Sequence, residues 1–157
     1  MIPVPSTRSD EFYTPPWVYE RLGEFDLDPC AGPSAQIARI NWRDRDALES
    51  DWFGRVWLNG PYSVDNKRLF LLKAADYHAA TGESVIGLYP CTPSTDWFKE
   101  CARKAAAVYA VDRRIDFIRS DGKRGRGTVP SAFFCFGGEA AESVRKSGLV
   151  SMQITFI

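Results

Sequence analysis

Short apolar runs that stop at glycine or proline alternate with helix-length stretches over residues 25–111, and two more apolar runs follow at 131–136 and 151–157. Strands separated by helices cannot pair as tight hairpins, because each helix carries the chain back across the sheet before the next strand begins. The pattern predicts an α/β fold, an open and mainly parallel sheet flanked by helices, with the late strands forming an antiparallel edge. Residues 84–89 read most clearly as a buried strand, since everything after Ser84 is apolar or glycine. Helices are expected from Thr14-Pro15 to Gly23, around 36–40, over 66–80 behind an Asp65 cap, from Thr95 onward, and over 139–146.

A chain of 157 residues buries about two-thirds of its unfolded surface and needs no staples, so one domain is expected, with residues 1–11 a loose polar arm. Its 20 basic and 20 acidic side chains cancel, which argues against a protein that coats nucleic acid but leaves room for a local patch. Cys30, Cys91, Cys101 and Cys135 form no C-x-x-C pair, and His78 is the one histidine, so no metal site is expected. The chain shows neither the apolar run of a signal peptide nor an apolar stretch long enough to span a bilayer. The expectation is a soluble cytoplasmic protein with no membrane partner.

The run Val56-Trp57-Leu58 ends in Asn59-Gly60-Pro61-Tyr62. At the carboxyl edge of a parallel sheet, where ligands bind, such a turn presents a side-chain amide, a backbone carbonyl and an aromatic ring together. The amide both donates and accepts hydrogen bonds and the ring offers a stacking surface, a combination suited to the edge and face of a nucleobase. The same residues also fit a plain turn in which Asn59 caps the next helix and Tyr62 packs. An earlier strand, residues 25–28, ends in Asp28-Pro29-Cys30-Ala31-Gly32, where small residues let a ligand near the backbone and an acid can accept from a ribose or a cationic group. No lysine follows, so a nucleoside triphosphate does not fit. Asp46, in the charged run 43–46, falls near a strand edge. Residues 119–128 form a basic loop whose Arg119, Lys123, Arg124 and Arg126 favour phosphate.

Taken in order, Phe12–Pro16, Asp28–Gly32 and Asn59–Tyr62 resemble the cofactor helix, glycine turn and catalytic turn of S-adenosylmethionine-dependent amino-methyltransferases. The sequence is most similar to the small phage-type, Dam-like DNA N6-adenine methyltransferases, which carry a T-P start, a D-P-x-A turn, an N-P-P-Y turn and a later G-R-x-x-F stretch in this order. That resemblance implies the Rossmann-like methyltransferase fold and transfer of a methyl group from S-adenosylmethionine to adenine in DNA. It implies catalytic roles for Asn59, Gly60, Pro61 and Tyr62, and a cofactor lining of Tyr13, Thr14, Pro15, Asp28, Pro29, Cys30, Ala31, Asp46 and Asn59. DNA contacts fall on Arg114, Arg119, Lys123, Arg124 and Arg126. A protein glutamine or RNA base as substrate, or a nucleoside-binding module with a decayed site, are the alternatives. No large insert separates the two turns, so sequence preference is weak or supplied by a second subunit, and the partner expected besides DNA is a homodimer mate or a separate specificity subunit. Gly60 stands where the family has its first proline and Arg113 where it has a glycine. A glycine that merely loosens the turn would accept proline without loss.

Overall fold

The computed structural model describes residues 12–119, 124–125 and 129–157. A seven-stranded sheet is built from β2 (Phe25–Asp28), β3 (Ala38–Asn41), β4 (Val56–Leu58), β5 (Val85–Pro90), β6 (Ala107–Val111), β9 (Ser131–Phe136) and β10 (Val150–Gln153). A small sheet joins β1 (Phe12–Tyr13) to β7 (Phe117–Arg119) and β8 (Arg124–Gly125). The helices are α1 (Pro16–Tyr19), followed by one 3-10 turn, α2 (Val64–Thr81), α3 (Asp96–Lys104) and α4 (Gly138–Lys146).

The large sheet runs β10-β6-β9-β5-β4-β2-β3. Strands β3, β2, β4 and β5 are mutually parallel, whereas β9 lies antiparallel to both β5 and β6, and β10 antiparallel to β6. The antiparallel edge expected from sequence is therefore half right: β10 is at the edge, but β9 is inserted near the middle. All six β9 residues are buried, and a strand apolar on both faces is covered on both faces. Along β4, β5 and β9 alternate residues face two cores. Val56, Leu58, Val85, Tyr89, Phe134 and Phe136 pack with Phe70 and Leu71 of α2 and Phe98 of α3. Trp57, Ile86, Leu88, Phe133 and Cys135 pack with Val18 of α1 and Val144 of α4. The sheet thus lies between two helical layers.

Several local expectations are corrected. The helix around 36–40 is strand β3, because the Phe25–Ala38 and Leu27–Ile40 pairs ladder it onto β2 and a five-residue helix has too few internal bonds to compete. Thr14 does not cap α1; Pro15 occupies the N-cap without a side-chain bond, and the Thr14 hydroxyl is engaged elsewhere. Helix α2 starts at Val64, so Asp65 lies in its first turn rather than capping it. On α2 the inward face is Phe70, Leu71 and Ala74, while Leu69 is 43% exposed. The last strand stops at Gln153. Among the described residues no helix is long and apolar enough to cross a membrane.

From β2 the chain passes to β3 on one side, then returns to lay β4 on the other side of β2. The crevice where winding reverses is the general ligand site of open α/β sheets, and the residues at its rim are Asp28 and Asn59.

Candidate active site

Strand β2 delivers Asp28 into that crevice almost sealed from solvent, at 3% exposure. Its Oδ1 accepts the Cys30 N–H at 3.1 Å, and its backbone carbonyl accepts Trp42 N–H at 2.9 Å. Burial pushes the carboxyl up to about 7, against the opposing pull of the Cys30 N–H and the Arg43 charge. A carboxyl raised by burial ionises more readily once a positive charge is placed beside it.

The turn after Asp28 is stitched from outside. Ala31 N–H bonds the Trp42 carbonyl at 3.0 Å, and Arg43 donates to the carbonyls of Gly32 and Pro33 (3.1 and 3.0 Å) and of Ala35 (2.5 Å). Arg43 belongs to a charge run that reads as solvated surface, and nothing in that run marks it as a loop clasp. Pro29 is buried behind the turn. Burial first, then the Asp28 carboxyl, push the Cys30 thiol well above its ordinary range, so it is a neutral packing group. The open space expected beside Gly32 is approached by Tyr13: a Cβ on Gly32 would stand 2.8 Å from the Tyr13 ring.

Thr14 and Pro15, both buried, follow Tyr13 and bring the N-terminal segment to the second turn. Asn59 Nδ2 donates to Thr14 Oγ1 at 2.9 Å. With the amine tied down, Asn59 Oδ1 is buried and has no hydrogen-bond partner among the described residues. Gly60 N–H donates to the Tyr89 hydroxyl at 3.2 Å. Pro61 and Tyr62 are half-buried; the Tyr62 ring packs 5.7 Å from Tyr89 and 6.4 Å from Phe117, with its hydroxyl donating to the Leu88 carbonyl at 3.4 Å.

Asp46 caps its own turn, Oδ1 accepting from Leu48 and Glu49 N–H, and leaves Oδ2 buried with no partner among the described residues. Lys73 of α2 fixes that turn by donating to the Leu48 and Ser50 carbonyls at 2.7 and 2.6 Å. Asn59 Oδ1 and Asp46 Oδ2 are thus sealed acceptors without donors among the described residues, and Asp28 is a buried acid. Each unmet buried acceptor costs on the order of 1–3 kcal/mol, which a ligand's N–H or O–H groups would offset. No group of three His, Cys, Asp or Glu among the described residues is placed to hold a metal ion.

A family model described as DNA N-6-adenine-methyltransferase (Dam) matches residues 3–136. The chain belongs to the Dam family of DNA N6-adenine methyltransferases. It is therefore an enzyme that acts on DNA. No curated protein and no solved structure matches the chain. The match covers both turns, strands β1 to β9 and the basic segment.

In this Dam-family chain the basic segment is not wholly a loop. Arg119 ends β7 and Arg124 begins β8, with Ile118 paired to Arg124 and Tyr13 paired to Ile118. One small sheet thus ties the basic hairpin to the N-terminal segment beside Gly32, and its Phe117 touches Tyr62. Only the backbone of Arg119 and Arg124 is described, and Lys123 and Arg126 lie outside the described residues. Arg114 is exposed three residues before β7 begins; Arg113 stacks its guanidinium 4.1 Å over the Trp17 ring. Two participants were missed by sequence reasoning besides Arg43. Lys73 sits on a helix for which the sequence marks no site residue. Tyr89 was read as strand core, although it is the penultimate residue of β5 and its hydroxyl reaches Gly60.

Proposed function

We propose that the protein methylates the N6 amine of an adenine turned out of the DNA helix, with S-adenosylmethionine as methyl donor. The observation that carries this reading is the Asn59 amide, its amine held by Thr14 and its oxygen sealed without a donor at the crevice between β2 and β4. The adenine amine is a poor nucleophile because its lone pair is delocalised into the ring. Asn59 Oδ1 and the Gly60 carbonyl, each accepting one N6 hydrogen, draw that nitrogen toward tetrahedral geometry and free its lone pair. This is orientation and preorganised electrostatics, with no covalent nucleophile. Tyr62 supplies the stacking surface for a base taken out of the duplex.

The acceptor-rich crevice fits a donor that carries amines, ribose hydroxyls and positive charge. Asp28 and Asp46 would hold it, with Tyr13, Thr14, Pro15, Pro29, Cys30, Ala31 and Asn59 as its walls. When bound, S-adenosylmethionine supplies a methyl group activated by a cationic sulfur. We read the reversal of winding between β2 and β4 as the Rossmann-like methyltransferase arrangement. Arg114 and the basic hairpin would contact phosphates next to the pocket, since Phe117 joins the hairpin to Tyr62.

Incubation with methyl-labelled donor and DNA, RNA or protein in parallel tests the reading. The label is expected in DNA, as N6-methyladenine on digestion; label in RNA or protein and none in DNA would overturn it. Asp28 adds a pH signature. Its folded value near 7 lies above the ordinary carboxylate value of 3.8, so folding favours the protonated form. The stability it contributes is complete below about pH 4 and is lost as pH rises through about 7. A cationic donor favours the ionised form, so affinity should rise over the upper part of that window. In Asp28→Asn, calorimetric affinity and melting temperature should both lose this component of their pH dependence. Unchanged pH profiles in that variant would remove Asp28 from the cofactor site.

A further inference from the structure

Gly60 and Tyr89 each lie two residues beyond the Leu58–Gly87 pair that ends the β4–β5 ladder. Continuing the register sets them opposite one another, and there the Gly60 N–H donates to the Tyr89 hydroxyl in a buried bond of 3.2 Å. Tyr89 is fully buried, and its ring also packs on Tyr62. A phenylalanine would fill the same core. What the hydroxyl adds is an acceptor for a backbone N–H that is otherwise buried without a partner.

The same hydroxyl explains the glycine. A Cβ at position 60 would stand 3.0 Å from Tyr89 Oη, 3.3 Å from Cys30 Sγ and 3.4 Å from Phe70 Cδ2. Gly60 is not in the left-handed region, so backbone conformation does not demand glycine. The demand comes from the space occupied by the hydroxyl. Proline would stiffen the turn through its ring and has no N–H to satisfy. Glycine does neither, and here a side chain on the neighbouring strand supplies both the hold and the acceptor.

We propose that Tyr89 is a positioning residue for methyl transfer: its hydroxyl clamps the Gly60 backbone and so holds Asn59 and Tyr62 in register, in place of a proline ring in the turn. This rests on the methyl-transfer reading above. The expectation that proline at position 60 is harmless is overturned with it, because proline would lose the bond and press on the hydroxyl. Proline at position 60 and the Tyr89 hydroxyl compete for the same space, a Cβ there standing 3.0 Å from Oη. Burial raises the Tyr89 phenol far above its ordinary range, so the clamp does not switch with pH.

A double-variant cycle of Tyr89→Phe, Gly60→Pro and both together tests the clamp by turnover and by melting temperature. Tyr89→Phe should lower kcat about tenfold, the scale of one buried hydrogen bond, with KM for the donor within about twofold. Gly60→Pro alone should lose more, in both kcat and melting temperature. The double variant should recover kcat to within about threefold of the parent and melt above Gly60→Pro, because the lost hydroxyl leaves room for the ring. Strictly additive losses, or full kcat in Tyr89→Phe, would overturn the proposal. The melting cycle needs no substrate. Coupling there, in a parent that methylates no DNA, would refute the proposed function and uphold the Gly60–Tyr89 clamp.

Discussion

Asn59→Ala is expected to lower methyl transfer by about 100-fold or more while the fold and the affinity for the methyl donor stay nearly intact. The amide carries two separate tasks. Nδ2 anchors the side chain to Thr14, and Oδ1 is kept as an acceptor that no described residue uses. Alanine removes both; losing the unmet acceptor stabilises while buried Thr14 Oγ1 loses its donor, so the two effects offset and melting temperature should change little. Thr14→Val separates the tasks: the acceptor stays but its orientation is released, and a smaller loss of about tenfold is expected. Single-turnover rates at saturating donor read the difference directly. An alanine variant that transfers methyl groups at the parent rate would exclude Asn59 from the chemistry.

The second large effect concerns DNA affinity. With 20 positive and 20 negative side chains the protein has no global attraction for a polyanion, so binding must come from a local cluster. If Arg119, Lys123, Arg124 and Arg126 contact about four phosphates, the logarithm of affinity falls against the logarithm of salt with a slope near 3.6, at about 0.9 per contact. Raising salt from about 50 to about 200 mM should then weaken binding roughly 150-fold. Neutralising Lys123, Arg124 and Arg126 together should flatten the slope to near 0.9 and weaken all DNA sequences alike, since phosphate contacts position without reading bases. Titrations by fluorescence anisotropy at several salt concentrations decide it. A triple variant with the parent slope would place the DNA contacts elsewhere.

The readable parts of this chain are those in which one residue's chemistry determines its place. Val56-Trp57-Leu58 and residues 85–89 are too apolar to be anything but buried, and proline and glycine mark where they end, so the two turns at the sheet's carboxyl edge could be located from sequence. What could not be read depends on partners distant in the chain. Residues 36–40 look helical until Phe25 and Leu27 are known to pair with Ala38 and Ile40. Thr14 followed by proline looks like a helix cap until Asn59, 45 positions away, is found at its hydroxyl. Arg43 looks like solvated charge because its acceptors are backbone carbonyls, which every residue has. Tyr89 looks like core because its ring is core, and only the register between β4 and β5 shows where its hydroxyl points.

The central position of β9 bears on how the chain assembles. Strands β5 and β6 never touch as neighbours in the sheet; each pairs along its length with β9, which is synthesised some twenty residues after β6 ends. Before residues 131–136 are in place, β5 lacks the partner that covers one of its edges and β6 has no sheet partner at all, because β10 follows β9 in the chain; such apolar edges recruit other chains. Inserting β9 satisfies an edge of β5 and an edge of β6 at once, and its pairing with β5 is a non-local contact of the kind that slows folding. A nascent or truncated chain ending near residue 130 would be aggregation-prone even though it already carries the turns after β2 and β4.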